Sequence, residues 1–150
     1  RYSAAPDYPE VAMAALEEMV RCVGGPDGDE VDGRPRLTGG VVVRHLMLPG
    51  ALEDSKRVVR TIWERFGNGV LLSLMNQYTP VLAAAAQAGA AWAQRQLRRC
   101  PELGGRVSDG EYEELLDYAD SLGIEDYFWQ QGGAAKDSFI PAFDLTGVPR

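Results

Sequence analysis

Apolar residues recur at helical spacing in three stretches of the chain. In residues 8–23 they follow Asp7 and Pro9, a capping residue and a proline that suits the first turn of a helix. Gly24 directly follows this run, as glycine often does at the end of a helix. The pattern predicts an amphipathic helix over residues 8–23.

The second and third helical patterns are bounded in the same way. Residues 52–66 carry an apolar stripe that stops at Gly67. The third stripe follows Ser108 and Glu111, whose spacing is that of a capping box, and it stops at Gly123. Both patterns predict helices with one face turned towards a core.

Three further stretches, residues 41–48, 70–76 and 124–131, are continuous apolar runs. Such runs are typical of strands buried on both faces of a parallel sheet. The first run contains Arg44 and His45, which alternation places on opposite faces of the strand. Strand, helix and strand at this spacing predict a βαβ unit.

The remaining segments predict less regular structure. Residues 24–40 are rich in Gly, Pro and Asp and predict a turn or small hairpin. Residues 81–99 are rich in alanine and predict a helix, whose role the pattern does not indicate. The order of elements predicts an α/β fold with parallel strands. A doubly wound sheet and part of a β/α barrel both fit, and three strands favour an incomplete barrel.

Charge and composition narrow the class of function. The chain has net charge −7 and fifteen scattered basic residues, so we expect no nucleic-acid partner and no anionic membrane surface. No apolar run reaches the roughly 18 residues of a membrane span, and no secretory segment opens the chain. Cys22 and Cys100 are far apart, so we expect a cytoplasmic protein with reduced thiols.

Candidate chemistry lies where predicted strands end. Asn76, Gln77 and Tyr78 follow the second strand, at the edge where parallel α/β folds bind ligands. Arg44 inside an apolar strand requires an anionic partner. A ligand carboxylate or phosphate and a structural ion pair are equally good explanations. His45, the only histidine, is then a core residue, and the sequence shows no catalytic nucleophile and no metal site.

Several segments together resemble radical S-adenosylmethionine proteins of the pyruvate formate-lyase activating enzyme-like family. Residues 43–50 read VRHLMLPG and residues 73–80 read SLMNQYTP. Shorter matches occur at residues 2–9, 101–103 and 140–144. The resemblance runs nearly end to end and covers the C-terminal half of such proteins. It implies a half β/α barrel with parallel strands, the C-terminal portion of the radical SAM barrel.

The resemblance implies an oxidoreductase that cleaves S-adenosylmethionine reductively at a [4Fe-4S] cluster and generates a 5′-deoxyadenosyl radical. Family members hold the cluster with a CxxxCxxC loop, which this chain lacks. We therefore expect residues 1–150 to be the C-terminal part of a radical SAM domain, without its cluster-binding N-terminal part. We expect this fragment to be inactive and to bind neither cofactor by itself.

The resemblance assigns Arg44 to S-adenosylmethionine binding, since activating enzymes carry an arginine at the matching strand position. Tyr78 stands where those enzymes place a histidine near adenine, and Asn76 and Gln77 are further candidates. A glycyl-radical enzyme or another protein is the implied partner. The alternative function is a non-enzymatic half-barrel that docks a partner protein. Because half a barrel leaves strand edges unpaired, we expect the isolated fragment to self-associate.

Overall fold

The computed structural model describes residues 5–129, except for the side chains of Arg34 and Pro35. Its elements follow in chain order. They are α1 Tyr8–Val23, β1 Asp27–Val31, β2 Arg34–Gly39, β3 Val42–Leu46, α2 Leu52–Phe66, β4 Leu71–Met75, α3 Val81–Gln87, α4 Ala91–Arg99, α5 Asp109–Ser121 and β5 Tyr127–Trp129. Short 3-10 turns lie at Gly67–Gly69 and Pro101–Gly104.

Strands β3, β4 and β5 form a parallel sheet whose spatial order is the order along the chain. Arg44 is paired in register with Ser73, and Ser73 with Phe128. The predicted small hairpin is confirmed as the antiparallel pair β1–β2. Asp32 and Gly33 form its turn, both at positive φ, as a two-residue turn with the twist of its strands requires.

Helices α2 and α5 cover one face of the parallel sheet, and the core lies between them and β4. Its central members are Val59 and Ile62 of α2, Leu72 and Leu74 of β4, and Leu115 and Ala119 of α5. The buried Tyr112 hydroxyl donates a hydrogen bond of 2.8 Å to the Leu74 carbonyl oxygen. Burial of these apolar side chains is the main term that holds the helices on the sheet.

The sequence patterns predicted these helices well. α1 and α2 have the predicted limits, and α5 begins with the predicted capping box. In that box the Ser108 hydroxyl accepts from the Glu111 backbone N–H, and the Glu111 carboxylate accepts from the Ser108 backbone N–H. The α/β class with parallel strands is confirmed.

The prediction that the strands are buried on both faces is wrong for residues 5–129. Along β3, half-buried residues alternate with exposed ones, and Val42 and Leu46 are 38% and 40% exposed. Phe128 and Trp129 of β5 are also exposed. The physical reason is that the described helices cover only one face, so an apolar run does not reveal what covers the other face.

The alanine-rich segment is helical, as predicted, but it forms two helices instead of one. The break lies at Gly89, whose φ of +87° is a conformation that side chains other than glycine rarely adopt. α3 ends before it and α4 begins after it, so the two helices fold back as a hairpin. Within residues 5–129, no helix combines the length and apolar character that crossing a membrane requires.

Candidate functional site

The side of the parallel sheet opposite α2 and α5 is here called the open face. Strand alternation assigns its residues, because their neighbours Leu72 and Leu74 point into the core. The open face consists of Val42, Arg44 and Leu46 from β3, Leu71, Ser73 and Met75 from β4, and Phe128 from β5. It is an apolar surface with one cation at its centre.

Arg44 lies in the middle of β3, and its side chain is exposed. It forms no hydrogen bond or ion pair with any other residue in 5–129, so a structural ion pair finds no acidic partner there. The desolvation cost expected from its apolar sequence context does not arise, because water reaches the guanidinium. An exposed guanidinium among apolar neighbours is suited to a carboxylate or phosphate, which it binds through two parallel hydrogen bonds.

His45 lies on the helix-covered side of β3, opposite Arg44, as alternation predicted. Its ring is half-buried, and Nε2 is buried without a hydrogen-bond partner in the described part of the chain. Burial lowers the pKa of His45, while the carboxylate of Asp54 partly opposes this shift. The imidazole is therefore a neutral core group and is not part of the open face.

The segment after β4 holds the other predicted site residues, Asn76, Gln77 and Tyr78, all half-buried. The Asn76 Oδ1 atom is buried and has no hydrogen-bond partner among residues 5–129. The Tyr78 hydroxyl donates to the Leu103 carbonyl oxygen at 2.9 Å, and burial raises the pKa of this phenol. The hydroxyl is thus committed to the protein, whereas the Asn76 carbonyl group still lacks a donor.

Two residues near the site were not among the predicted ones. Thr79 follows Tyr78, and its buried Oγ1 has no partner in the described residues. Phe128 shares the open face with Arg44, in register with Ser73. The signal for Thr79 was its place just after a strand, and the signal for Phe128 was strand alternation. Gln130 and Gln131, at the predicted end of the third strand, lie outside the described residues.

The described residues do not fit an iron–sulfur cluster. Cys22 is exposed on α1 and Cys100 is buried after α4, and both thiols are free. Residues 5–129 contain no group of three His, Cys, Asp or Glu side chains placed to hold a metal ion. A cubane cluster requires several neighbouring thiolates, so its ligands have to come from elsewhere.

The arrangement supports binding, not proton transfer. A cation on an apolar sheet face and a buried amide oxygen after the next strand are able to hold a ligand with an acid group and N–H donors. Comparison of the chain with family models, with curated proteins and with solved structures gives no match.

Proposed function

We propose that this chain is the C-terminal part of a radical S-adenosylmethionine oxidoreductase of the pyruvate formate-lyase activating enzyme-like family. The sheet order supports a partial β/α barrel. In a barrel, successive strands are neighbours and the helices lie outside, as β3, β4 and β5 do with α2 and α5. A doubly wound sheet reverses its strand order and carries helices on both faces.

The observation that carries the proposal is the Arg44 guanidinium. It stands on the face opposite the helices, the side that is the interior in a barrel, and it has no partner in residues 5–129. In the proposed complex it binds the carboxylate of S-adenosylmethionine. Neighbouring Val42 and Leu46 limit water around this contact, which strengthens a charged hydrogen bond.

The segment after β4 provides the second part of the proposed binding site. Asn76 Oδ1 needs a donor, and the adenine amino group is one. Gln77 offers a further amide, and the Tyr78 ring offers a face while its hydroxyl stays bonded to Leu103. When bound, the cofactor supplies a carbon radical on one-electron reduction by a [4Fe-4S] cluster whose cysteines lie outside this chain.

The test is to read the coding frame upstream of Arg1 for CxxxCxxC and to express the protein with that segment. Reconstituted with iron and sulfide under reducing conditions, it is expected to release 5′-deoxyadenosine. Arg44→Gln is expected to raise the half-saturating concentration of S-adenosylmethionine at least about tenfold, because bonds to charged groups contribute about 1.5–3 kcal/mol. Residues 1–150 alone are expected to show no cleavage.

Arg57→Gln is the matched control. Arg57 is exposed on α2 and pairs with Asp54 at 2.9 Å, so its loss is expected to leave cofactor binding unchanged. Absence of an upstream CxxxCxxC, or equal half-saturation in both variants, would contradict the proposal.

One observation favours a second candidate, a non-enzymatic module that docks a partner protein on the open face. Val42, Leu46 and Phe128 leave apolar surface there, and such surface is common at protein interfaces. The two functions differ in their dependence on the cofactor. A docking module binds its partner without S-adenosylmethionine, and its binding is weakened by Leu46→Ala more than by Arg44→Gln.

A further inference from the structure

The hairpin of α3 and α4 presents a second surface, separate from the open face. One side of α4 is turned inwards, where Ala93 is fully buried and Cys100 closes the helix against the turn at Pro101–Gly104. The other side carries Trp92, Arg95 and Arg99 at spacings of three and four, which align them in one stripe. Trp92 is 56% exposed.

This stripe borders a groove of about 520 Å³. The groove is lined by Leu82, Trp92, Arg95, Gln96, Arg99 and Leu103. Leu82 and Leu103 provide an apolar floor, and the two arginines stand at its rim beside the indole. An apolar pocket with an aromatic wall and guanidinium groups is the composition found at the centres of protein interfaces.

The charge of the segment is opposite to that of the whole protein. Residues 81–99 contain three arginines and no acidic residue, in a chain of net charge −7. Arg95 forms no ion pair with any residue in 5–129, so its charge is available to a partner. The surrounding negative charge repels a long phosphate backbone, whereas a short acidic segment meets mainly the local positive patch.

We propose that this groove is a docking site for an acidic segment of a partner protein that carries one apolar side chain. The apolar side chain enters between Trp92 and Leu82, and flanking carboxylates pair with Arg95. This inference does not depend on the cofactor chemistry proposed above, since none of these residues belongs to the open face.

The experiment uses residues 1–150 and a fluorescein-labelled short peptide of glutamates with one central leucine, followed by anisotropy. The peptide is expected to bind, and its glutamine counterpart is not. Arg95→Glu and Trp92→Ala are each expected to weaken binding by about tenfold or more, as for residues at the centre of an interface. Arg106→Glu is the matched control, because Arg106 is exposed and lies outside the groove.

Circular dichroism of each variant establishes that the hairpin still folds. No peptide binding, or equal binding by Arg95→Glu and Arg106→Glu, overturns the proposal. Tighter binding of a single-stranded oligonucleotide with the same dependence on Arg95 assigns the groove to nucleic acid and also overturns it. Self-association that Trp92→Ala abolishes in sedimentation assigns the groove to a second copy, with the same consequence.

Discussion

The two faces of the parallel sheet are built from the same strands, yet they differ in almost every physical respect. Leu74 of β4 is fully buried under α2 and α5, whereas Leu46 of the neighbouring β3, on the opposite face, is 40% exposed. Both are leucines in apolar runs, so side-chain type does not decide burial here. What decides it is whether a helix lies above the strand.

The covered face also has polar links that the open face lacks in the described residues. The half-buried Lys56 of α2 donates to Glu114 of α5 at 2.6 Å and lies over the ring of Tyr118. Arg60 donates to the Tyr118 hydroxyl at 2.6 Å. The comparison indicates that stability resides on the covered face, which leaves the open face to serve ligand binding.

The largest expected effect comes from truncating one leucine on each face. Leu74→Ala creates a cavity in the core and is expected to lower the free energy of unfolding by about 2–5 kcal/mol. Leu46→Ala removes a side chain that is already in contact with water and is expected to cost less than about 1 kcal/mol. Urea unfolding followed by circular dichroism measures both changes. Equal losses would mean that something other than the described helices supports Leu46.

A smaller effect is expected from the hydroxyl that joins α5 to the sheet. Tyr112→Phe leaves the ring in place but removes the donor to the Leu74 carbonyl oxygen, at an expected cost of about 1 kcal/mol. Tyr127→Phe is the matched control, because its hydroxyl bonds to Asp120 where water can replace the partner. The same urea unfolding experiment is expected to show a smaller loss for the control. A larger loss for Tyr127→Phe would contradict the assignment of stability to the covered face.

The smallest expected effect is a pH dependence that distinguishes His45 from its exposed neighbour Arg44. Burial lowers the pKa of His45 from its ordinary value of 6.5, with a partial opposing effect of Asp54. Below about pH 6.5 the unfolded chain therefore binds a proton that the folded chain resists, so stability is complete above this pH and falls as the pH decreases.

Unfolding free energies measured between about pH 7 and 5, above the range in which ordinary carboxylates titrate, test this expectation. His45→Gln is expected to flatten the profile, since the chain has no other histidine. An unchanged slope in that variant would show that the proton binds elsewhere.

Local signals predicted the helices because their causes are local. Asp7, Pro9 and the Ser108–Glu111 pair act within one turn of the helix that they begin, and the chain neighbours suffice to recognise them. The break at Gly89 was also present in the sequence, since it is the only glycine within the alanine-rich segment. It was missed because alanine favours a helix so strongly.

Burial of the strands was not predictable in the same way. A run such as residues 41–48 shows that a strand has apolar groups on both sides, but the covering elements come from distant parts of the chain. The sequence placed Arg44 in a strand with His45 opposite, which the structure confirms. It gave no indication that the Tyr78 hydroxyl bonds to Leu103, 25 residues further along the chain.

That bond between Tyr78 and Leu103 lies at the two ends of the excursion that contains α3 and α4. It acts as a clasp: the chain leaves the sheet after β4 and returns to nearly the same point before α5. Whatever happens beyond the clasp in length or sequence does not alter the distance that the chain has to span at the sheet. The helical hairpin is thus an interchangeable cassette, free to acquire new binding properties while the α/β framework keeps its geometry.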